Sequence, residues 1–354
     1  MPTIPENLLI AWDVTTGRTH SLGHPPGRFR FANPQMMVDA RDRVHLFWGE
    51  LEGGPGPISG DFARVPAVSL WTSMYDQADG WSPPRMLFGD SLVRLRMHLT
   101  IVPAQSEKTP GPWGLSITKD PRPRGSYGVI LVGFDADQRA VALDVPDIDA
   151  IYSSVQSRGK RVYLGFVGGT ASSNRRRSPS GVYFQSSRDS GRTWQPPVSI
   201  APTRPGRHNP HSLQTILAPD GTIYLVWKQE RGELDDVFRV VVSRDEGKTW
   251  SALEDLIPPP TVEWVHAAAD VCGTLQFAWE HRDWSVDRAH IDHASWRDGW
   301  SPIEHVFTDL DTNMPQLHRT HDGRFLLSFA ARPPVASDSV PYTNFISERK
   351  HRSR

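Results

Sequence analysis

The chain has 354 residues, with 39 basic side chains against 40 acidic ones and a net charge of −1. That balance gives no wholesale attraction to nucleic acid or to an anionic membrane surface, so neither is expected as a partner. The single cysteine, Cys272, excludes an intrachain disulfide. Thirteen tryptophans, 31 prolines and 28 glycines point to many turns and many large packing side chains.

The opening MPTIPENLLIAWDV has no basic start and no long apolar run, and its apolar residues 8–12 are too few to cross a bilayer. A soluble, cytoplasmic protein is expected. Further along, one phrase recurs. Residues 34–48, 152–166, 212–227, 266–279 and 315–329 each read as strand, turn, strand, with Asp220-Gly221 and Asp322-Gly323 as the sharpest turns. A second phrase follows it. Ser187-Arg-Asp189-Ser-Gly191-Arg-Thr-Trp194 and Ser243-Arg-Asp245-Glu-Gly247-Lys-Thr-Trp250 both fit S-x-D-x-G-x-x-W, 56 positions apart, and each follows an alternating strand. Weaker copies end in Asp79-Gly80-Trp81 and Asp298-Gly299-Trp300, and a degenerate one lies at Asp135 and Asp137. The chemistry of this phrase is structural. The Asp accepts backbone N–H groups in a tight turn, the Gly takes a backbone angle other residues resist, and the Trp closes the turn.

One unit is therefore strand A, turn, strand B, loop, strand C, box, strand D, which is a four-stranded propeller blade. The units fall at about 27–88, 92–146, 148–203, 207–259, 261–309 and 311–348. The second is interrupted by five prolines, and the sixth lacks a box and a D strand. Residues 7–18 supply that strand and close the ring, removing an open sheet edge. The expectation is a single all-β domain over residues 1–354, a six-bladed β-propeller.

Asp boxes within blades of this length resemble the sialidase superfamily, over nearly the whole chain. The resemblance implies boxes on the face opposite the active site, and a site where A strands begin and B strands end. It further implies an arginine triad for a substrate carboxylate, an Asp acid/base, and a Tyr nucleophile assisted by a Glu. Phe29-Arg30-Phe31-Ala-Asn-Pro34 is a loose counterpart of the family's early F-R-I-P motif, so Arg30 matches the first arginine. The chain departs elsewhere. Asn209-Pro210-His211 stands where the family has a Glu-Pro step, Lys228 where an arginine is expected, and Asn313-Met-Pro315 opens the last blade without a tyrosine. Tyr152 sits in a tyrosine-like motif, but in the third blade. The scaffold is shared, and the sialidase chemistry is not expected to be.

Blade register still names the residues that converge at the mouth. A-strand starts contribute Arg30, Asn33, His98, Asp149, Tyr152, His208, His211, Glu263, His266, Asn313 and Gln316. B-strand ends contribute Glu50, Lys228, Glu230, Glu280, His281 and Arg332, and Trp284 lies in the following loop of the fifth blade. Catalytic candidates are His211, Tyr152, Glu50, Asp149, Glu263, His266 and Glu280. Carboxylates across a funnel suit glycoside hydrolysis, which needs two of them flanking the scissile bond. The competing reading is an ion pair with Lys228, Arg282 or Arg332. Arg30, Asn33, His98, His208, Lys228, His281, Trp284, Asn313, Gln316 and Arg332 are candidates for holding substrate, the cations because guanidinium and ammonium groups clamp carboxylates. Arg175-Arg-Arg177 reads as a solvated loop or as a further anion trap. His208 and His211 have no recognised metal-ligand spacing, and no metal or cofactor is expected. Trp48, Trp227 and Trp279 recur at one B-strand position and read as packing.

The leading expectation is an enzyme acting on an anionic or polyhydroxylated small substrate or glycan, by hydrolysis of a glycoside. The alternative is a lyase or cyclase using Tyr152 with His211 or His266 as acid and base. The third is a binding propeller without catalysis. Oligomeric state is not legible in the sequence.

Overall fold

The structure is a computed structural model that describes residues 9–13, 18–23, 31–38, 43–51, 67–76, 78–89, 95–102, 114–119, 129–134, 140–146, 148–170, 181–202, 210–230, 236–256, 262–283, 288–306, 311–319, 325–332 and 343–349. All regular structure among these residues is β-strand, arranged as a propeller. Three sheets are simple antiparallel meanders in chain order. One comprises Ile148–Arg158, Arg161–Thr170, Gly181–Ser187 and Val198–Pro202. The next comprises Pro210–Leu217, Ile223–Glu230, Asp236–Ser243 and Glu254–Leu256. The third comprises Val262–Ala269, Leu275–Asp283, Arg288–Trp296 and Glu304–Val306.

The sheets number five among the described residues, where the sequence predicts six separate blades. The reason is local. Strands assigned to the first and second blades share one nine-stranded sheet, joined through the single pair Ala67↔Leu95. The fifth sheet unites the chain ends. Asp311–Arg319, Phe325–Arg332 and Thr343–Arg349 are antiparallel, and the N-terminal Leu9–Asp13 adds to the last of them, Ile10 opposite Phe345. The pairing is parallel, whereas the missing D strand would have continued the antiparallel meander. No hairpin connects these two strands, so no tight turn dictates their relative direction. Arg18–Gly23 then covers Leu9–Asp13.

The first strands of the units, Phe31–Val38, Leu95–Val102, Ile148–Arg158, Pro210–Leu217, Val262–Ala269 and Asp311–Arg319, touch one another in a closed cycle. At three consecutive seams, side chains satisfy the strand edges that face each other. Thr215 Oγ1 donates to Ser154 O at 2.8 Å and accepts Gly165 N–H at 3.0 Å. Gln214 bridges the next seam, donating to Val265 O at 2.7 Å and accepting Ala267 N–H at 2.6 Å. His266 bridges the one after, its Nδ1 accepting Leu317 N–H at 3.1 Å.

Apolar packing fills the seams between sheets. Trp48, Trp227 and Trp279 have 0% exposure, as their recurrence predicts. Trp227 packs with Tyr163, Val167, Val182 and Phe184 of the preceding meander, and Trp279 with Val226, Phe238 and Val240 of its own predecessor. The two full S-x-D-x-G-x-x-W turns have the same internal bonding. Asp189 Oδ1 accepts Thr193 N–H at 2.8 Å, Asp245 Oδ1 accepts Thr249 N–H at 2.8 Å, and the paired threonine hydroxyls donate to Oδ2 at 2.6 Å. The Trp194 and Trp250 indoles donate back to Gly191 O and Gly247 O.

Candidate functional site

Every first strand loses register with its partner near its own beginning. The breaks fall between Ala32 and Gln35, Arg96 and Thr100, Ala150 and Tyr152, His211 and Gln214, Val262 and Val265, and Asn313 and Gln316. Within the fourth, Ser212 adopts φ 49°, a left-handed angle that non-glycine residues seldom take. Bulges re-aim side chains and concentrate beside functional sites. Asn33, His98 and Glu263 lie inside these breaks, and Tyr152, His211, Asn313 and Gln316 border them. The hairpins then bring second-strand ends alongside, pairing Phe31 with Glu50, His211 with Lys228, Val262 with His281 and Asp311 with Arg332. Asp149 stands opposite Gly169.

Several of these side chains are described. Lys228 is buried, at 9% exposure, and Gln316 at 6%. Glu280 is 1% exposed and takes the ion-pair option: Oε1 accepts from Arg282 Nη2 at 3.0 Å and from Nε at 3.2 Å. Tyr152 is half-buried against the apolar seam containing Trp227. His266 is spent differently from a free base. The Leu317 N–H occupies its Nδ1 lone pair, which puts the ring proton on Nε2, and burial lowers its pKa to about 4. His318 beside it is pushed to about 3 by burial and by His266. The equivalent residue one sheet earlier is Gln214, which makes the same kind of seam bond. The side chains of Asn33, Glu50, His98, Asp149, His211, Glu263, Asn313 and Arg332 lie outside the described residues, as do Arg30, Asp135, Asp137, residues 175–177, His208 and Trp284 altogether.

His281 leads to residues the sequence reading missed. Its Nδ1 lies 3.1 Å from Asp292 Oδ2, and His305 Nδ1 lies 2.7 Å from Asp292 Oδ1. His290 stacks on His281 with ring centroids 4.6 Å apart, and its Nε2 approaches Asp292 Oδ1 at 3.1 Å. The approach is off the line of a hydrogen bond, and no other polar atom among the described residues reaches that buried nitrogen. Burial lowers the pKa of His290, against the opposing pull of Asp292. Asp292 itself is 1% exposed. The available signal was His290 and Asp292 alternating on one strand, which puts both on one face.

No family model matches the chain. No curated protein matches it either. Solved structures do resemble it in fold. A protein of unknown function from Dyadobacter fermentans DSM 18053 aligns with TM-score 0.63 and 14% identity, covering 96% of this chain and 98% of that one. Penicillium chrysogenum α-L-arabinanase, complexed with arabinobiose, aligns with TM-score 0.61 and 12% identity, covering 96% and 97%. The Hadza microbial sialidase Hz136 aligns with TM-score 0.59 and 12% identity, covering 89% of this chain and 65% of the sialidase. At these identities the likeness is one of fold. No helix among the described residues is long and apolar enough to cross a membrane.

Proposed function

We propose that this chain is a six-bladed Asp-box propeller, related to the sialidase superfamily, that hydrolyses a glycosidic bond in an anionic or polyhydroxylated substrate. The closed cycle of six first strands supports the blade count, with the nine-stranded sheet counted as two blades sharing one bridge. The observation that carries the site is the register break repeated at the same end of every first strand, at the chain positions of Asn33, His98, Tyr152, His211, Glu263 and Asn313. The arabinanase and sialidase of similar fold favour a carbohydrate substrate. Glu280, paired with Arg282 at 3.0 Å, is the candidate base or nucleophile. Asp149, Glu50 or Glu263 serves as its acid partner, and Lys228 with Arg332 attracts an anionic group.

The test is turnover of purified protein on chromogenic arabinofuranosides, sialosides and hexosides, alongside uronate-containing oligosaccharides followed for new unsaturation. Chromophore release that falls by ~10²–10⁴ in Glu280→Gln supports hydrolysis by this group. New unsaturation, lost in Tyr152→Phe or His211→Ala, replaces hydrolysis with elimination. Saturable glycan binding without turnover makes the propeller a binding module.

A further inference from the structure

The fifth unit carries a second constellation, distinct from the carboxylates of the proposed hydrolysis. We propose that His281, His290 and Asp292 bind one divalent transition-metal ion of the zinc type, with His305 as a positioning residue for the carboxylate.

Three adjacent strands in fixed register build this constellation. His281 stands opposite His290, Asp292 follows two residues after His290 on the same face, and His305 stands opposite Asp292. The donor atoms of His281, His290 and Asp292 all lie within 4.8 Å of one another. Two nitrogen-to-oxygen separations, His281 Nδ1 to Oδ2 and His290 Nε2 to Oδ1, are both 3.1 Å. Around a tetrahedral zinc with ligands at ~2.0–2.1 Å, neighbouring donors stand about 3.3 Å apart. The donors as a set spread to within 4.8 Å and the His281 and His290 rings lie stacked, so seating the ion requires these rings to tilt toward each other.

The polar accounting points the same way. A carboxylate as buried as Asp292 requires compensation. His281 and His305 supply part of it. His290 Nε2 lies 3.1 Å from the carboxylate, poorly aligned for a hydrogen bond, and compensates it less well. A cation between them uses both lone pairs at once. Two imidazoles and one carboxylate favour zinc, cobalt or nickel, and offer too few oxygens for calcium or magnesium. Three protein ligands leave one coordination position open. His281 and His290 keep 28% and 23% side-chain exposure, while the donor nitrogen of His290 and the Asp292 carboxylate are buried.

The test uses full-length protein with any affinity tag removed. Chelator-treated protein is titrated with Co²⁺ and then Zn²⁺, and thermal unfolding is followed alongside. The expected result is one equivalent of Co²⁺ with the intense visible bands of a four-coordinate site, bleached by Zn²⁺, and a Tm raised by either ion. His290→Ala loses the bands and the Tm rise, and His305→Ala keeps the stoichiometry but binds roughly 10–100-fold more weakly. His281→Ala replaces His290→Ala if the latter does not fold. Absence of saturable Co²⁺ binding in the native chain overturns the proposal. So does unchanged binding in the His290 or His281 variant. Metal content is read independently of turnover, so failure here leaves the hydrolase reading standing, and inactivity on glycosides leaves this one standing.

Discussion

Asp189 and Asp245 sit at the solvent edge, yet each organises a whole turn through bonds from its threonine side chain and backbone. Those bonds, the threonine hydroxyl's first, hold both carboxyls at about 2. Because the folded value lies below the unfolded one of about 4, the stabilisation is fully present above that pH and is lost as pH falls toward about 2. Asp245→Ala is thus expected to lower Tm at neutral pH, and the gap from the native chain should close between pH of about 4 and about 2. Circular dichroism melts across that range measure it. Gly247 adds a second constraint at the same turn. Its φ is +83°, and a Cβ there would run into the Phe184 ring of the preceding meander. Gly247→Ala should cost about 1–3 kcal/mol in denaturant unfolding. Gly80→Ala, with φ +73° but nothing within 4 Å, should lose less, since it bears backbone strain alone.

At the scale of elements, the innermost strands of the last four sheets in chain order are edge strands that cannot remain bare, and Thr215, Gln214 and His266 close three consecutive seams. The sequence named His266 and Gln316 by position but could not show that this position faces the next sheet. Gln214 lies opposite Val226, and His266 opposite Ala278, each one residue before a buried Trp. The pH dependence of the His266 seam has a definite sign. Its folded pKa of about 4 lies below the unfolded ~6.5, so its contribution is whole above ~6.5 and is lost as pH falls toward about 4. His266→Gln copies the residue of the neighbouring seam. It should retain most of the neutral-pH Tm and flatten the Tm decline between pH ~6.5 and about 4. A residual slope from His318 is expected, because burial holds that ring neutral as well. An unchanged slope would remove His266 from the acid sensitivity.

For the whole molecule, the decisive contact joins its two ends. Leu9–Asp13 covers the Thr343–Arg349 edge and is itself covered by Arg18–Gly23. A variant lacking residues 1–23 leaves that edge open to pairing with other chains. It should melt at lower temperature and associate with rising concentration, measured by light scattering on size exclusion. A monomer of unchanged Tm would show that closure by this strand is dispensable.

Much of the architecture was legible in one dimension because blades are local. A box, its preceding strand and the Asp-Gly hairpin all lie within some fifty positions, so period and turn chemistry write them directly. The buried tryptophans were legible for the same reason, since recurrence at one strand position marks a packing face. The candidate site was legible as a set of register positions and no further. Alternation cannot reveal a bulge, and it is the bulges that set where Asn33, His98 and Glu263 stand.

The sequence by itself determined the all-β class and the repeated strand-turn-strand unit, because each depends on contacts between near neighbours in the chain. Tertiary structure alone decided that His266 braces a seam, that Glu280 pairs with Arg282, and that Asp292 gathers three histidines. Those outcomes depend on which faces of different strands meet and on how deeply each is buried. Such contacts form across ladders and between sheets, where linear spacing carries no distance.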